Sequence, residues 1–284
     1  MNVKKSRVAI LGAGVSAAYA YAACVDLGVK DIVVITDRIS KGPHGAFWLY
    51  EVPEKLKESK LWHWLYPQEI SVSSVGDEIY YNKSIWSGFM PQSEFMSVKS
   101  SFPEKDTTFY GYNPEITVDF LFGRHYLSTY PEADIFEKWK KMNNTEDVID
   151  LSEKYDIVLT TFPTGDTNTV QPPNALRPVS VVYGNSDTPY NSVVYWGVPG
   201  SVVTRTSDLW GTFSMEILSE KLYELNYGSC KVIQTYKVSP FATEVGSTLR
   251  PNIFPVGRFA CWNRKLLAHD AYAQAAEAVW KMTE

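Results

Sequence analysis

The chain has 284 residues, 45% of them hydrophobic and 14% aromatic, and carries a formal net charge of −5. That length is enough to bury a full core, and the net acidity gives no bulk attraction to nucleic acid or anionic membrane. No stretch is long and apolar enough to span a bilayer, and three scattered cysteines (Cys24, Cys230, Cys261) point to reduced thiols in a cytoplasmic setting rather than a disulfide framework.

Residues 7–38 read as strand, loop, helix and strand. The apolar run Val8-Ala9-Ile10-Leu11 ends at Gly12-Ala13-Gly14-Val15-Ser16-Ala17. A small-residue helix is expected over 17–27, then a second apolar run over 32–35 that ends in Thr36-Asp37-Arg38. This is the spacing of a dinucleotide-binding turn. Gly12 permits the sharp exit from the strand, Gly14 lets backbone N–H groups approach a pyrophosphate, and Ser16 and Ala17 open a helix whose N-terminus faces that charge. Asp37, with Arg38 beside it, stands where an acid bonds the adenosine ribose. The same region imitates a secretory signal, because Lys4, Lys5 and Arg7 precede an apolar stretch ending Ala20-Tyr21-Ala22. Two glycines at fingerprint spacing and a second strand ending in an acid favour the dinucleotide reading.

The loop Ser40-Lys41-Gly42-Pro43-His44-Gly45-Ala46-Phe47 follows, and its His44 is able to titrate near neutrality and carry a proton. The bland alternative is a solvent-facing loop histidine. Residues 45–150 are aromatic-rich and irregular, with a short strand expected at 78–81 and a helix at 132–142. Gly123-Arg124-His125-Tyr126 is a polar-aromatic cluster that serves either a substrate or a turn. Residues 155–161 form an apolar, β-branched run bounded by Phe162-Pro163 and predict a buried strand.

Alternating segments at 179–183, 192–196 and 231–238 predict a largely antiparallel sheet. An amphipathic stretch over 215–225 interrupts them as an expected helix. Tyr195-Trp196 and Thr204-Arg205-Thr206 lie on that sheet. Residues 252–258 read as a strand ending in glycine, followed by a terminal helix with Leu267, Ala271, Ala275 and Val279 near helical spacing. No Cys/His cluster has zinc-ligand spacing, so no metal is expected. Hydrolase elbows and phosphate-binding Lys-Thr loops are likewise missing from the sequence.

Three separated segments resemble the flavoprotein group that contains amine oxidases, protoporphyrinogen oxidase and UDP-galactopyranose mutase. They are the glycine fingerprint with Asp37, the run YDIVLTTFPT at 155–164, and NIFPVGRFACWNRKLLAHDAYAQA at 252–275. The resemblance implies an α/β fold: a discontinuous Rossmann-like FAD-binding domain (1–45, 151–172 and 250–284) with inserted substrate-binding parts (46–150 and 173–249) that carry a mixed, largely antiparallel sheet. It implies FAD as cofactor and adds Gly45, Gly257, Arg258 and Asp270 to the cofactor residues. Gly257 would allow backbone to approach the flavin ring, and Arg258 would offset phosphate charge or hold a substrate anion. Asp270 would order a polyol or reach the pyrophosphate through water. The plain alternatives are a surface ion pair for Arg258 and a helix cap for Asp270. Mutase-like relatives carry a ligand-facing tyrosine and arginine on the inserted sheet, which makes Arg205 a candidate anion clamp. The sequence departs from the group in having Gly-Pro-His-Gly at 42–45 instead of paired glycines.

Residues 45–53 and 257–272 are also similar to elements of uncharacterised phage-encoded proteins, which would place the chain in a host cytoplasm. Three function classes follow. The first is an FAD-dependent oxidase or dehydrogenase acting on the C–N bond of a small polar, amine-like or nucleotide-linked substrate, with His44, Arg258 and Arg205 as candidate catalytic residues. The second is a non-redox flavin lyase or mutase, including modification of an amino-acid-bearing pyrimidine in nucleotides or DNA. The third is an NAD(P)-dependent reductase or a non-catalytic dinucleotide-binding protein. The expected partner is a small-molecule or nucleotide substrate, with no evident basic nucleic-acid patch and no membrane.

Overall fold

The computed structural model describes residues 3–35, 48–57, 66–76, 78–81, 88–91, 107–114, 116–117, 121, 145–161, 176–197, 201–218, 230–238, 250–261, 263 and 266–283. After a single 3-10 turn (Val3–Lys5), the first half contains β1 (Arg7–Leu11), α1 (Val15–Asp26), β2 (Asp31–Ile35), α2 (Glu54–Lys57), β3 (Gln68–Gly76), β4 (Glu78–Tyr81), β5 (Gly88–Pro91) and β6 (Thr107–Gly111). The second half contains α3 (Thr145–Lys154), β7 (Ile157–Thr160), β8 (Leu176–Asn185), β9 (Asn191–Gly197), β10 (Val203–Leu209), β11 (Thr212–Leu218), β12 (Lys231–Val238), β13 (Ile253–Pro255), α4 (Gly257–Ala260) and α5 (Asp270–Thr283).

Strands that read as unbroken apolar runs belong to a sheet buried on both faces. Here β1, β2, β7 and β13 form a four-stranded parallel sheet in the order β13–β7–β1–β2. Val8, Ile10, Val34, Ile157 and Leu159 point into one core, shared with α1 and α5. Ala9, Leu11, Val33, Ile35, Val158 and Ile253 point the other way, where Leu151 and Tyr155 pack on them. Polar groups fix the register of the distant β7. Arg7 N–H donates to Asp156 Oδ2 at 2.8 Å, and Asp156 N–H returns a bond to the Arg7 carbonyl at 2.9 Å. Thr161 donates both its N–H and its hydroxyl to the Leu11 carbonyl, at 3.0 and 2.7 Å.

Helix α1 is apolar almost all round because it is covered almost all round. Ala17, Ala18, Ala20, Ala22 and Ala23 are fully buried between the sheet and α5, which offers Ala271, Ala275, Ala278 and Val279. Small residues let these helices approach closely, and Tyr272 Oη donates to Asp26 Oδ2 at 2.7 Å to tie them.

The second sheet has seven strands in the order β12–β8–β11–β10–β9–β3–β6, antiparallel throughout except for the parallel β3/β9 pair. Strands β10 and β11 form a hairpin. Its Trp210-Gly211 turn has φ of 57° and 75°, the backbone that a two-residue hairpin needs. The helix expected at 215–225 is corrected here: Met215 to Leu218 finish β11, and residues 219–229 lie outside the described residues. The run TFSMEIL alternates with period two and is bonded on both sides, to β8 and β10, and a short apolar run does not by itself separate the two periodicities. The terminal strand is also shorter than expected, ending at Pro255, and Gly257 already opens α4. The expected helix at 132–142 lies outside the described residues.

Residues 48–53 join the two sheets. Leu49 and Val52 belong to the α1 core, while Trp48 packs with Ile70, Val72, Val193, Tyr195 and Leu209 of the second sheet. Leu49 and Tyr112 exchange backbone hydrogen bonds at 3.1 and 2.8 Å, and the Tyr19 hydroxyl on α1 donates to the Glu51 carbonyl. Among the described residues no helix is long and apolar enough to cross a membrane.

Candidate functional site

The turn from β1 into α1 is built around two glycines with different jobs. Gly12 has φ of 110°, which side chains with a Cβ rarely adopt, and its N–H donates to the Ile35 carbonyl at 2.7 Å. The turn is thereby pinned to the end of β2. Gly14 is the N-cap of α1 with φ of −85°, an ordinary extended value, and it makes no side-chain cap. A Cβ built there would meet nothing within 4 Å, so open space lies directly against the start of the helix. Ala18 N–H makes the first intrahelical bond, to the Gly14 carbonyl at 3.0 Å. The N–H groups of Val15, Ser16 and Ala17 therefore precede the helical ladder, at the positive end of the helix dipole.

The C-terminal segment closes onto this turn. Gly257 has φ of 84° and a Cβ on it would collide with the Ser16 hydroxyl and stand 2.7 Å from Ser16 Cβ. The start of α4 thus sits directly on the first turn of α1. From α5, the Gln274 Oε1 accepts the Gly257 N–H at 2.7 Å, while its amide nitrogen lies 3.5 Å from Cys261 Sγ. The Cys261 thiol itself donates to the Pro255 carbonyl at 3.4 Å. Gly12, Gly14, Ser16, Ala17 and Gly257, drawn from the two chain ends, are brought together here.

The other expected site residues fare differently. Arg258 is half-buried and its Nε donates to the Leu266 carbonyl at 2.8 Å, bracing the backbone between α4 and α5. Asp270 Oδ2 accepts the Leu267 N–H at 2.6 Å across the turn that leads into α5, so the carboxylate satisfies a backbone donor ahead of the helix. Its other oxygen lies 3.8 Å from His269 Nε2. Asp37, Arg38, His44 and Gly45 lie outside the described residues, as does the 123–126 cluster.

Arg205, the candidate anion clamp, lies inside the second sheet. It is 6% exposed on β10 and forms an ion pair with Glu216 on β11. Its Nη1 lies 3.4 Å from the Tyr195 hydroxyl, with the guanidinium carbon 5.6 Å from the Tyr195 ring centroid. Burial works against its charge, but the Glu216 carboxylate and then Tyr195 outweigh that and hold its pKa above the ordinary arginine value. The positive charge is already balanced inside the sheet.

Two side chains escaped the sequence reading. Glu216 is an acid in the middle of an apolar strand, and Gln274 is a polar residue within one turn of the buried positions Ala271, Ala275 and Ala278. Both interruptions are visible in the sequence, although their partners are not.

No family model matches the chain, and no curated protein is similar to it in sequence. Solved structures do align with it along most of its length. The peptidyl tryptophan dihydroxylase QhpG, essential for tryptophylquinone cofactor biogenesis, aligns over 98% of this chain with a TM-score of 0.52 and 9% identity; this chain spans 66% of its length. Reduced UDP-galactopyranose mutase aligns over 97% of this chain and 95% of its own, with a TM-score of 0.51 and 9% identity. CtdE, solved with FAD and substrate 4, aligns over 98% of this chain and 79% of its own, with a TM-score of 0.48 and 11% identity.

Proposed function

We propose that the chain is an FAD-dependent enzyme. In this reading residues 1–45, 151–172 and 250–284 make a discontinuous Rossmann-like FAD-binding domain, and 46–150 and 173–249 make the substrate-binding insertions. One observation carries it: Gly257 is seated on Ser16, beside the open space over Gly14. The residues present fit the group. The N–H groups of Val15, Ser16 and Ala17 would hold the pyrophosphate, and a long side chain at Gly14 would enter the open space where it would lie. Gly257 keeps the α4 turn close enough for backbone to border the flavin, and Gln274 and Arg258 hold that turn and the chain after it in place. Asp37 and Arg38 are assigned to the adenosine ribose, Gly45 to the pyrophosphate loop, and His44 to proton transfer. Bound FAD supplies reversible two-electron chemistry, and the protein supplies orientation and electrostatics.

The favoured reaction is oxidase- or dehydrogenase-type chemistry at the C–N bond of a small polar substrate, amine-like or nucleotide-linked. A second reading, a non-redox flavin lyase or mutase, draws support from the near-complete mutual coverage with UDP-galactopyranose mutase. Two assays on the yellow protein separate them. Anaerobic bleaching by a panel of amines and amino-acid-bearing nucleosides, with hydrogen peroxide formed in air, supports the oxidase. Substrate conversion with no net bleaching and no peroxide supports the second reading.

A further inference from the structure

The seven-stranded sheet has a covered face and an open one. Ile70, Val72 and Val193 pack under Trp48, so the residues that alternate with them point to the opposite side. Glu69 on β3 and Tyr110 on β6 are on that open side, directly across from each other in the strand register, about 5 Å apart at Cβ. Tyr190 stands on the other flank of Glu69. It immediately precedes Asn191, which starts β9 beside Ile70 and donates its amide to Gln68 Oε1 at 2.9 Å and to the Glu69 carbonyl at 3.5 Å. The Trp210 N–H in turn donates to Asn191 Oδ1 at 2.9 Å, which fixes this corner of the sheet.

Tyr110 is 62% and Tyr190 77% exposed, the two highest values among the described large hydrophobic residues, and Tyr66, just ahead of β3, is 55% exposed. Glu69 between them is exposed, and among the described residues its carboxylate makes no hydrogen bond or ion pair. Other surface acids sit with a cation: Glu54 with Lys57, Glu153 with Arg250 and Glu277 with Lys281. No Lys or Arg occurs in residues 66–71, 107–112 or 186–192, and Asp187 adds another exposed carboxylate there. A tyrosine ring face attracts cations, and two such rings flanking a carboxylate with no counter-charge leave a place for one.

We propose that Glu69, Tyr110 and Tyr190 form a docking site for an arginine side chain on a partner protein. Charge complementarity selects the occupant. An anionic partner meets two carboxylates with no cation to offset them, and a second copy applied through the same corner brings acid towards acid. Arginine suits the site better than lysine, because its planar guanidinium stacks on a ring while its N–H fork bonds the carboxylate. The next row of the open face, Ser71 flanked by Thr108 and Ser192, supplies neutral hydroxyls to the backbone on either side of that arginine.

The test titrates the full chain, labelled with 15N, with the peptide acetyl-Gly-Ser-Arg-Ser-Gly-amide and with the same peptide carrying citrulline, the neutral isostere, in place of arginine. The arginine peptide is expected to move the backbone cross-peaks of Glu69, Tyr110 and Asn191 at about tenfold lower concentration than the citrulline peptide, as an exposed ion pair and a cation–π contact together provide. Glu69→Gln should bring the two peptides level, and Tyr110→Ala should weaken the arginine peptide alone; both positions are exposed, so both variants should fold. Equal response to the two peptides in the unaltered chain, or movement confined to other parts of the molecule, overturns the proposal. So does free guanidinium acting at as low a concentration as the peptide, which would make the occupant a small cation. A dimer in sedimentation that Tyr110→Ala dissociates would likewise overturn it, by making the occupant a second copy.

Discussion

At the residue scale, the two glycines that meet at the site make opposite predictions. Gly14 has an ordinary φ and faces open space, so Gly14→Glu should fold normally by circular dichroism while losing retained FAD. Gly257 has φ of 84° and no room above Ser16. Gly257→Ala should cost about 1–3 kcal/mol in urea unfolding, from backbone strain plus the collision. Cys24 gives a pH prediction. Full burial pushes its thiol from an ordinary value near 9 to about 12, so the folded chain keeps the proton that the unfolded chain releases. The stability this provides is complete below pH 9 and is lost as pH rises from 9 toward 12, by up to about 1.4 kcal/mol per pH unit. Urea midpoints measured between pH 8 and 10.5 should fall less steeply in Cys24→Ala than in the parent chain. The glycine spacing was legible because it is local. The Arg205–Glu216 pair was not, because register across strands, not sequence distance, sets it.

At the element scale, Gln274 is the tie between α5 and the α4 turn, and its two contacts can be separated. Gln274→Glu keeps an acceptor for the Gly257 N–H but removes the donor near Cys261. It should retain flavin while Cys261 reacts faster with iodoacetamide. Gln274→Leu loses both contacts and should release flavin faster as well as expose the thiol; wild-type labelling in both variants would deny the tie. Tyr272→Phe should lower stability by about 1 kcal/mol by removing the hydroxyl that bonds Asp26, read as a shift in thermal midpoint. The elements themselves were legible unevenly. The buried β7 and the alternating β12 announce themselves by pattern, and the stripe Ala271, Ala275, Val279 announces α5. Strand β11 did not, because its seven residues run into an amphipathic stretch and only pairing on both edges decides for a strand.

At the scale of the whole molecule, a four-stranded parallel sheet is assembled from three segments far apart in sequence, β1–β2, β7 and β13, and the last of them leads to Gly257, which meets the start of α1 at Ser16. Polar bonds of long sequence separation do the joining: Thr161 to Leu11, Asn252 to Ser152 and Tyr155, and Tyr272 to Asp26. The sequence foreshadowed the closure through three separated motifs. It could not foreshadow the splice at 48–53, where a short irregular segment places Trp48 in one core and Leu49 in the other. In the proposed reading the joined segments clasp one adenine-bearing flavin, and direct measurement of that ligand is the sharpest test. The purified chain, denatured by heat, should release FAD at one molecule per chain, and the Gly14→Glu chain should release none. A colourless chain that takes up no added FAD yet gains thermal stability from NADPH would contradict the account.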